Sequence, residues 1–68
     1  MKDIGNVIKE RRNLLAITQR QLAELAGVAI NTLTKIERGE ANPSVKVLNL
    51  ILETLGLELV IKVKKPKF

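Results

Sequence analysis

The chain has no cysteine and no histidine. Without cysteine there is no disulfide and no thiolate metal site. Without histidine the commonest general base and the imidazole metal ligand are missing. Tryptophan and tyrosine are also absent, and Phe68 is the single aromatic residue. That argues against readers of single strands, which stack bases on aromatic side chains. No apolar run reaches the length of a membrane span, and the polar stretch after Met1-Lys2-Asp3 does not read as a signal peptide. A cytoplasmic location is the expectation. Ser44 is the only serine and Asp3 the only aspartate. The serine has no histidine to activate it, the glutamates are dispersed, and no glycine-rich phosphate loop occurs. The chain therefore reads as a non-enzyme, with no cofactor and no metal.

What is present fits one small domain. Sixty-eight residues bury only about 60% of the surface of the unfolded chain, which leaves a thin stability margin. With disulfides excluded, a partner subunit is the expected supplement. The charge is 12 Lys+Arg against 7 Asp+Glu, or +5, and a basic balance on a small domain points to a polyanion, most often nucleic acid. Its distribution qualifies that. Residues 1–40 carry +2 and residues 41–60 carry −1, whereas residues 61–68, with Lys62, Lys64, Lys65 and Lys67, carry +4. Most of the excess sits in the tail, as a solvated strand end or as a contact to DNA or to an acidic partner.

Five segments emerge from the periodicity. Residues 4–15 read as a helix with Ile4, Val7, Ile8 and Leu15 inward, Asp3 as N-cap, and Gly5 weakening the first turn. Residues 19–26 read as a second helix. Thr18 caps it and Gln21 completes a capping box, with Leu22, Ala23 and Ala26 inward and Gly27 as the stop. Residues 29–38 form a third helix with Leu33 and Ile36 inward, ended by Gly39. Residues 45–55 form a fourth, capped by Ser44 after Asn42-Pro43 and apolar nearly all round. One face of that helix packs on the others, and the second needs another cover. Residues 57–64 read as a strand, with Leu57, Leu59, Ile61 and Val63 on one face. No second strand is evident, apart from the short Met1–Ile4. The simplest pairing is with the same strand of a second copy about a two-fold axis.

The second and third helices, joined by a tight turn at Gly27, have the shape of a helix-turn-helix. Gln19 opens the first of the pair, where free backbone N–H groups can meet a phosphate. Small Ala23 permits close approach, and Val28, Leu33 and Ile36 supply a shared core. Left outside on the second are Ala29, Ile30, Asn31, Thr34, Lys35 and Arg38, a polar and basic surface with apolar groups that can meet thymine methyls. Asn31 suits adenine and Lys35 suits guanine as base readers. Ala29 and Ile30 either join them or pack against their own turn. Thr18 is a cap first and a phosphate contact second. Arg38 either meets a phosphate or stays solvated.

Gln19-x-x-Leu22-Ala23-x-x-Ala26-Gly27-Val28 followed by Thr32-Leu33-x-Lys35-Ile36-Glu37-Arg38-Gly39 resembles the phage repressor and Cro type of helix-turn-helix, the Xre-like family. The resemblance spans about 55 residues, up to Gly56. It implies an all-α, four-helix domain that binds double-stranded DNA. It also implies a partly buried ion pair between Arg12 and Glu37, and it puts the Asn42–Ser44 loop near the DNA backbone. After Gly56 the sequence departs from the phage repressors, which continue with another helix. Leu-Gly-Leu followed by a strand is similar to the HipB-like antitoxins, which dimerise partly through that strand and often act with a HipA-like kinase toxin.

The expectation is a helix-turn-helix domain over residues 1–56 and a dimerising strand with a basic tail over 57–68. Leu50, Leu57, Leu59, Ile61 and Val63 are the expected dimer interface. The expected function is a sequence-specific, autoregulatory repressor that binds an inverted-repeat operator as a homodimer. The alternative is an antitoxin that acts mainly by binding a toxin kinase.

Overall fold

A computed structural model describes residues 2–68. Four α-helices follow one another: α1 Lys2–Leu14, α2 Gln19–Ala26, α3 Ile30–Arg38 and α4 Val45–Thr54. Several of the helix ends come from local chemistry. At α2, the Thr18 hydroxyl accepts from the Gln21 backbone N–H at 3.0 Å and the Gln21 side chain accepts from the Thr18 N–H at 2.8 Å. This reciprocal box satisfies two donors that a helix start leaves open. At α4, the Ser44 hydroxyl accepts from the Val47 N–H at 3.1 Å. Between α2 and α3, Gly27 turns the chain with φ 72°, a left-handed conformation that costs other residues about 1–2 kcal/mol.

The first helix differs from its expected outline. Asp3 is not an N-cap; it lies inside the first turn of α1, where its charge complements the helix dipole. Of the Met1–Ile4 stretch considered as a strand partner, Met1 lies outside the described residues and the rest is helical. Gly5 does more than weaken a turn. It is buried, and a Cβ there would overlap the Ile36 carbonyl oxygen and meet the Glu37 carbonyl oxygen at 3.1 Å. The glycine lets α1 lie directly on the backbone of α3. Val7 and Leu15, expected inward, are 49% and 43% exposed. The buried side of α1 is instead Gly5 and Ile8, with Ile4 half-buried against the core.

That core is contributed mainly by the other helices: Leu22, Ala23 and Ala26 from α2, Leu33 and Ile36 from α3, and Leu48, Ile51, Leu52 and Leu55 from α4 and its end. Ala29 is the N-cap of α3 and not its first residue, and no side chain caps that helix. Leu55 is the C-cap of α4, and the Arg11 guanidinium closes this helix end by donating from Nε to the Leu55 carbonyl at 2.9 Å. A cation there is favoured by the helix dipole.

The expected strand is not formed. Among the described residues there is no β-strand, and the chain from Leu57 onward has no regular structure. A strand exists only through hydrogen bonds to a neighbour, and this chain offers none. Leu57 is half-buried against the core, after which Ile61 and Val63 are essentially fully exposed.

Candidate nucleic-acid interface

The candidate interface is built on α3, and its geometry follows from which side of α3 is taken up by the core. Leu33, Ile36 and Glu37 are buried, and they occupy one side of the helix. At 100° per residue, Ile30, Asn31, Thr34, Lys35 and Arg38 fall together on the other. Asn31, Lys35 and Arg38 are exposed, Ile30 is 36% exposed, and Thr34 is half-buried. Ala29 and Asn42 are also exposed, at the N-cap of α3 and in the loop before α4. The outward side of α3 thus carries two cations, one carboxamide and one branched apolar group, with no carboxylate among them.

Beneath it lies a buried polar network. Arg12 of α1 reaches Glu37 of α3 with two parallel bonds, Nε to Oε2 at 2.8 Å and an Nη to Oε1 at 3.0 Å. The side chains are only 11% and 3% exposed. The remaining Nη of Arg12 donates to the Ile17 carbonyl at 3.0 Å. The carboxylate hydrogen bond raises the Arg12 pKa above its ordinary value, outweighing partial burial, which lowers it. The guanidinium is thereby held in its charged form, and the pair clasps α1 to α3.

Gln19, at the start of α2, joins this clasp. Its Nε2 donates to Glu37 Oε1 at 3.1 Å, and its Oε1 accepts from the Thr34 hydroxyl at 3.2 Å. A carboxylate can only accept, so Glu37 dictates which end of the carboxamide faces it. The amide has two N–H groups, and one remains for an acceptor outside the chain. Thr34 also donates to the Ile30 carbonyl at 2.9 Å. The Thr34 hydroxyl thus has internal acceptors in both Gln19 and Ile30, and it helps orient the Gln19 carboxamide. The Thr18 hydroxyl caps α2 as an acceptor, which leaves its own O–H free to donate.

The sequence pattern did not reveal the Gln19–Thr34 and Gln19–Glu37 bonds, because residues 15 and 18 positions apart are brought together only by the angle between α2 and α3. The buried Gly5 was equally hidden. A glycine within a helical pattern, where it costs about 1 kcal/mol, was the one available signal of close packing.

The residues expected to form a dimer interface differ in exposure, and Leu57 among them is half-buried against the core. Leu50 is 38% exposed on α4 and Leu59 is 42% exposed, whereas Ile61 and Val63 stand free in the tail.

This fold and face define a helix-turn-helix domain. Residues 8–61 match the family model described as helix-turn-helix, and the chain belongs to that family, of the Xre and Cro type. A protein of Methanococcus maripaludis named as an HTH-type transcriptional regulatory protein is 41% identical over 56 residues, covering 82% of this chain and 17% of that protein. An uncharacterized HTH-type transcriptional regulator of Methanothermobacter thermautotrophicus is 38% identical over 52 residues, covering 76% of this chain and 75% of the relative. The crystal structure of the restriction-modification controller protein C.AhdI from Aeromonas hydrophila superposes with a TM-score of 0.80 at 26% identity, covering 84% of this chain and 86% of that one. The chain spans about a sixth of the length of the Methanococcus protein. No helix among the described residues is long and apolar enough to cross a membrane.

Proposed function

We propose that this chain is a transcriptional repressor that binds double-stranded DNA sequence-specifically, as a homodimer on an inverted repeat that includes its own promoter. The observation that carries this reading is the face of α3. A helix held at its back by Leu33, Ile36 and Glu37 presents Asn31, Lys35 and Arg38 outward together. Held this way, α3 enters the major groove, where Asn31 and Lys35 read base edges. Ile30 and Ala29 meet thymine methyls, and Arg38 meets a phosphate. Gln19, with its remaining N–H, and Asn42 contact the backbone and set the register. Two copies with their α3 helices about 34 Å apart read successive major grooves on one side of the duplex. Occupying the promoter excludes polymerase, which is all that repression requires.

Fluorescence anisotropy with the duplex upstream of the gene, against a shuffled duplex and over a salt series, tests this. The expected result is a preference of about a thousandfold or more, falling steeply with salt. Equal, weak binding to both duplexes overturns it. The likeness to HipB-like antitoxins rested on the C-terminal strand, and with no strand formed among the described residues nothing in the fold favours a toxin partner.

A further inference from the structure

The outer face of α1 carries a second feature that DNA binding does not use. Asp3, Val7, Glu10 and Leu14 recur at spacings of four, three and four residues, so they line up along one stripe on the side away from buried Gly5 and Ile8. Val7 is 49% exposed and Leu14 is 75% exposed. Between this stripe and Leu57 runs a groove of about 370 Å³, lined by Val7, Glu10, Arg11, Leu14 and Leu57. Arg11 lines the groove with its Nε bonded to the Leu55 carbonyl at 2.9 Å, and the two carboxylates of Asp3 and Glu10 outnumber that one cation along the stripe. An acidic, apolar stripe repels a phosphate backbone. It suits an extended segment that is apolar and cationic.

The chain holds such a segment. Leu59, Ile61 and Val63 alternate with Lys62 and Lys64, and Lys65 follows. Five extended steps from Leu59 to Lys64 span roughly 17 Å, and eleven helical steps from Asp3 to Leu14 span roughly the same. The segment does not fold back on its own groove. Leu57 is its last residue there, and Ile61 and Val63 are 94% and 104% exposed.

We propose that residues 59–65 of a second copy of this chain fill the groove on α1, reciprocally about the two-fold axis. Leu59, Ile61 and Val63 of the partner copy cover Val7 and Leu14. The flexible stems of its lysines lie along the apolar surface and bring their ammonium groups to Asp3 and Glu10. The exchange covers, on both copies at once, two apolar surfaces that a lone chain leaves in water, the α1 stripe and the tail. It rests on the dimeric part of the proposed function and specifies which surfaces meet.

The absence of cysteine permits a direct test. Leu14→Cys and Ile61→Cys chains, both altered at exposed sites, are mixed and treated with a short bismaleimide. The expected product is a cross-linked pair containing one of each, at least tenfold above a mixture of Glu24→Cys and Ile61→Cys. Sedimentation without DNA gives a dimer for the unaltered chain. The expected dissociation constant rises at least tenfold in Glu10→Lys and recovers when Lys62→Glu and Lys64→Glu are added. Thermal unfolding of each variant verifies that the monomer fold is intact. A monomer throughout, a dimer with no mixed cross-link, or a dimer indifferent to the charge exchange overturns the proposal. Because these readouts contain no DNA, failure here is separable from failure of duplex binding.

Discussion

The seam between α1 and α3 and the segment after Gly56 are made of similar materials and behave in opposite ways. Each combines branched apolar residues with charges. In the seam, Ile8, Leu33 and Ile36 are essentially fully buried, and the one charged pair, Arg12 with Glu37, is closed by two hydrogen bonds. In the tail, Ile61 and Val63 are essentially fully exposed and the lysines stand in solvent. Apolar character therefore does not make a core. It becomes stabilising only where a facing surface removes it from water, at roughly 25 cal/mol per Å² of apolar area. Charge becomes tolerable in the interior only when every acceptor and donor is matched. The seam meets both conditions within one chain, and the tail meets neither.

The largest test of this contrast removes one member of the clasp. Arg12→Ala leaves the Glu37 carboxylate buried without its cation and is expected to cost about 3–5 kcal/mol. For so small a domain that unfolds much of the population, seen as loss of helical circular dichroism. Gly5→Ala is the next largest. On propensity alone it should help a helix by about 1 kcal/mol. The overlap with the Ile36 carbonyl reverses the sign, and a net loss of about 1–3 kcal/mol in chemical denaturation is expected. A gain would mean that α1 does not rest on α3 as described.

Smaller changes sharpen the comparison. Thr18→Ala removes the cap of α2 and should cost about 1 kcal/mol, read in the same denaturation experiment. Ala16 ends α1 at φ 57°, in the left-handed region. Ala16→Gly relieves that strain and should stabilise by about 1 kcal/mol, visible as a higher midpoint. The smallest effect belongs to the tail. Val63→Ser should change the stability of the isolated monomer by less than about 0.5 kcal/mol, since Val63 contacts nothing in its own chain. A larger loss, measured at concentrations below dimerisation, would show that the tail is part of the monomer core.

The interface admits a comparable test of roles. Lys35→Ala is expected to weaken specific binding by about 1–3 kcal/mol and to relax preference at one base pair. Thr34→Val should act through Gln19: specific and shuffled duplexes weaken alike, while the fold is retained. Anisotropy against both duplexes distinguishes the two.

Much of this was legible along the chain because it depends on neighbours in sequence. Thr18 and Gln21 lie three positions apart, and so do Ser44 and Val47, within reach of one helical turn. Gly27 sits where the turn needs a left-handed residue, and the period of Leu33 and Ile36 marks the inner side of α3. The strand expected over residues 57–64 is not formed within the single chain. Its alternation of apolar and polar residues is that of a strand, but alternation states only a preference, and hydrogen bonds to a neighbour decide the outcome. Val7 and Leu15 failed for a related reason. Their spacing fits an inward stripe; the side of α1 that carries Val7 lost to the one on which Gly5 lets α3 approach, and Leu15 lies past the end of the helix.

By itself, then, the amino-acid sequence determined the number of helices, the caps of α2 and α4, the turn at Gly27 and the side chains available to α3, since each is settled by forces acting within a few residues. Tertiary structure alone decided the rest. It turned α1 so that Val7 and Leu14 face outward, carried Gln19 to Thr34 and Glu37, closed Arg12 on Glu37 from 25 residues away, and left the tail uncovered. These outcomes depend on which surfaces meet at which angle, and burial and hydrogen bonding between distant segments are properties of that meeting.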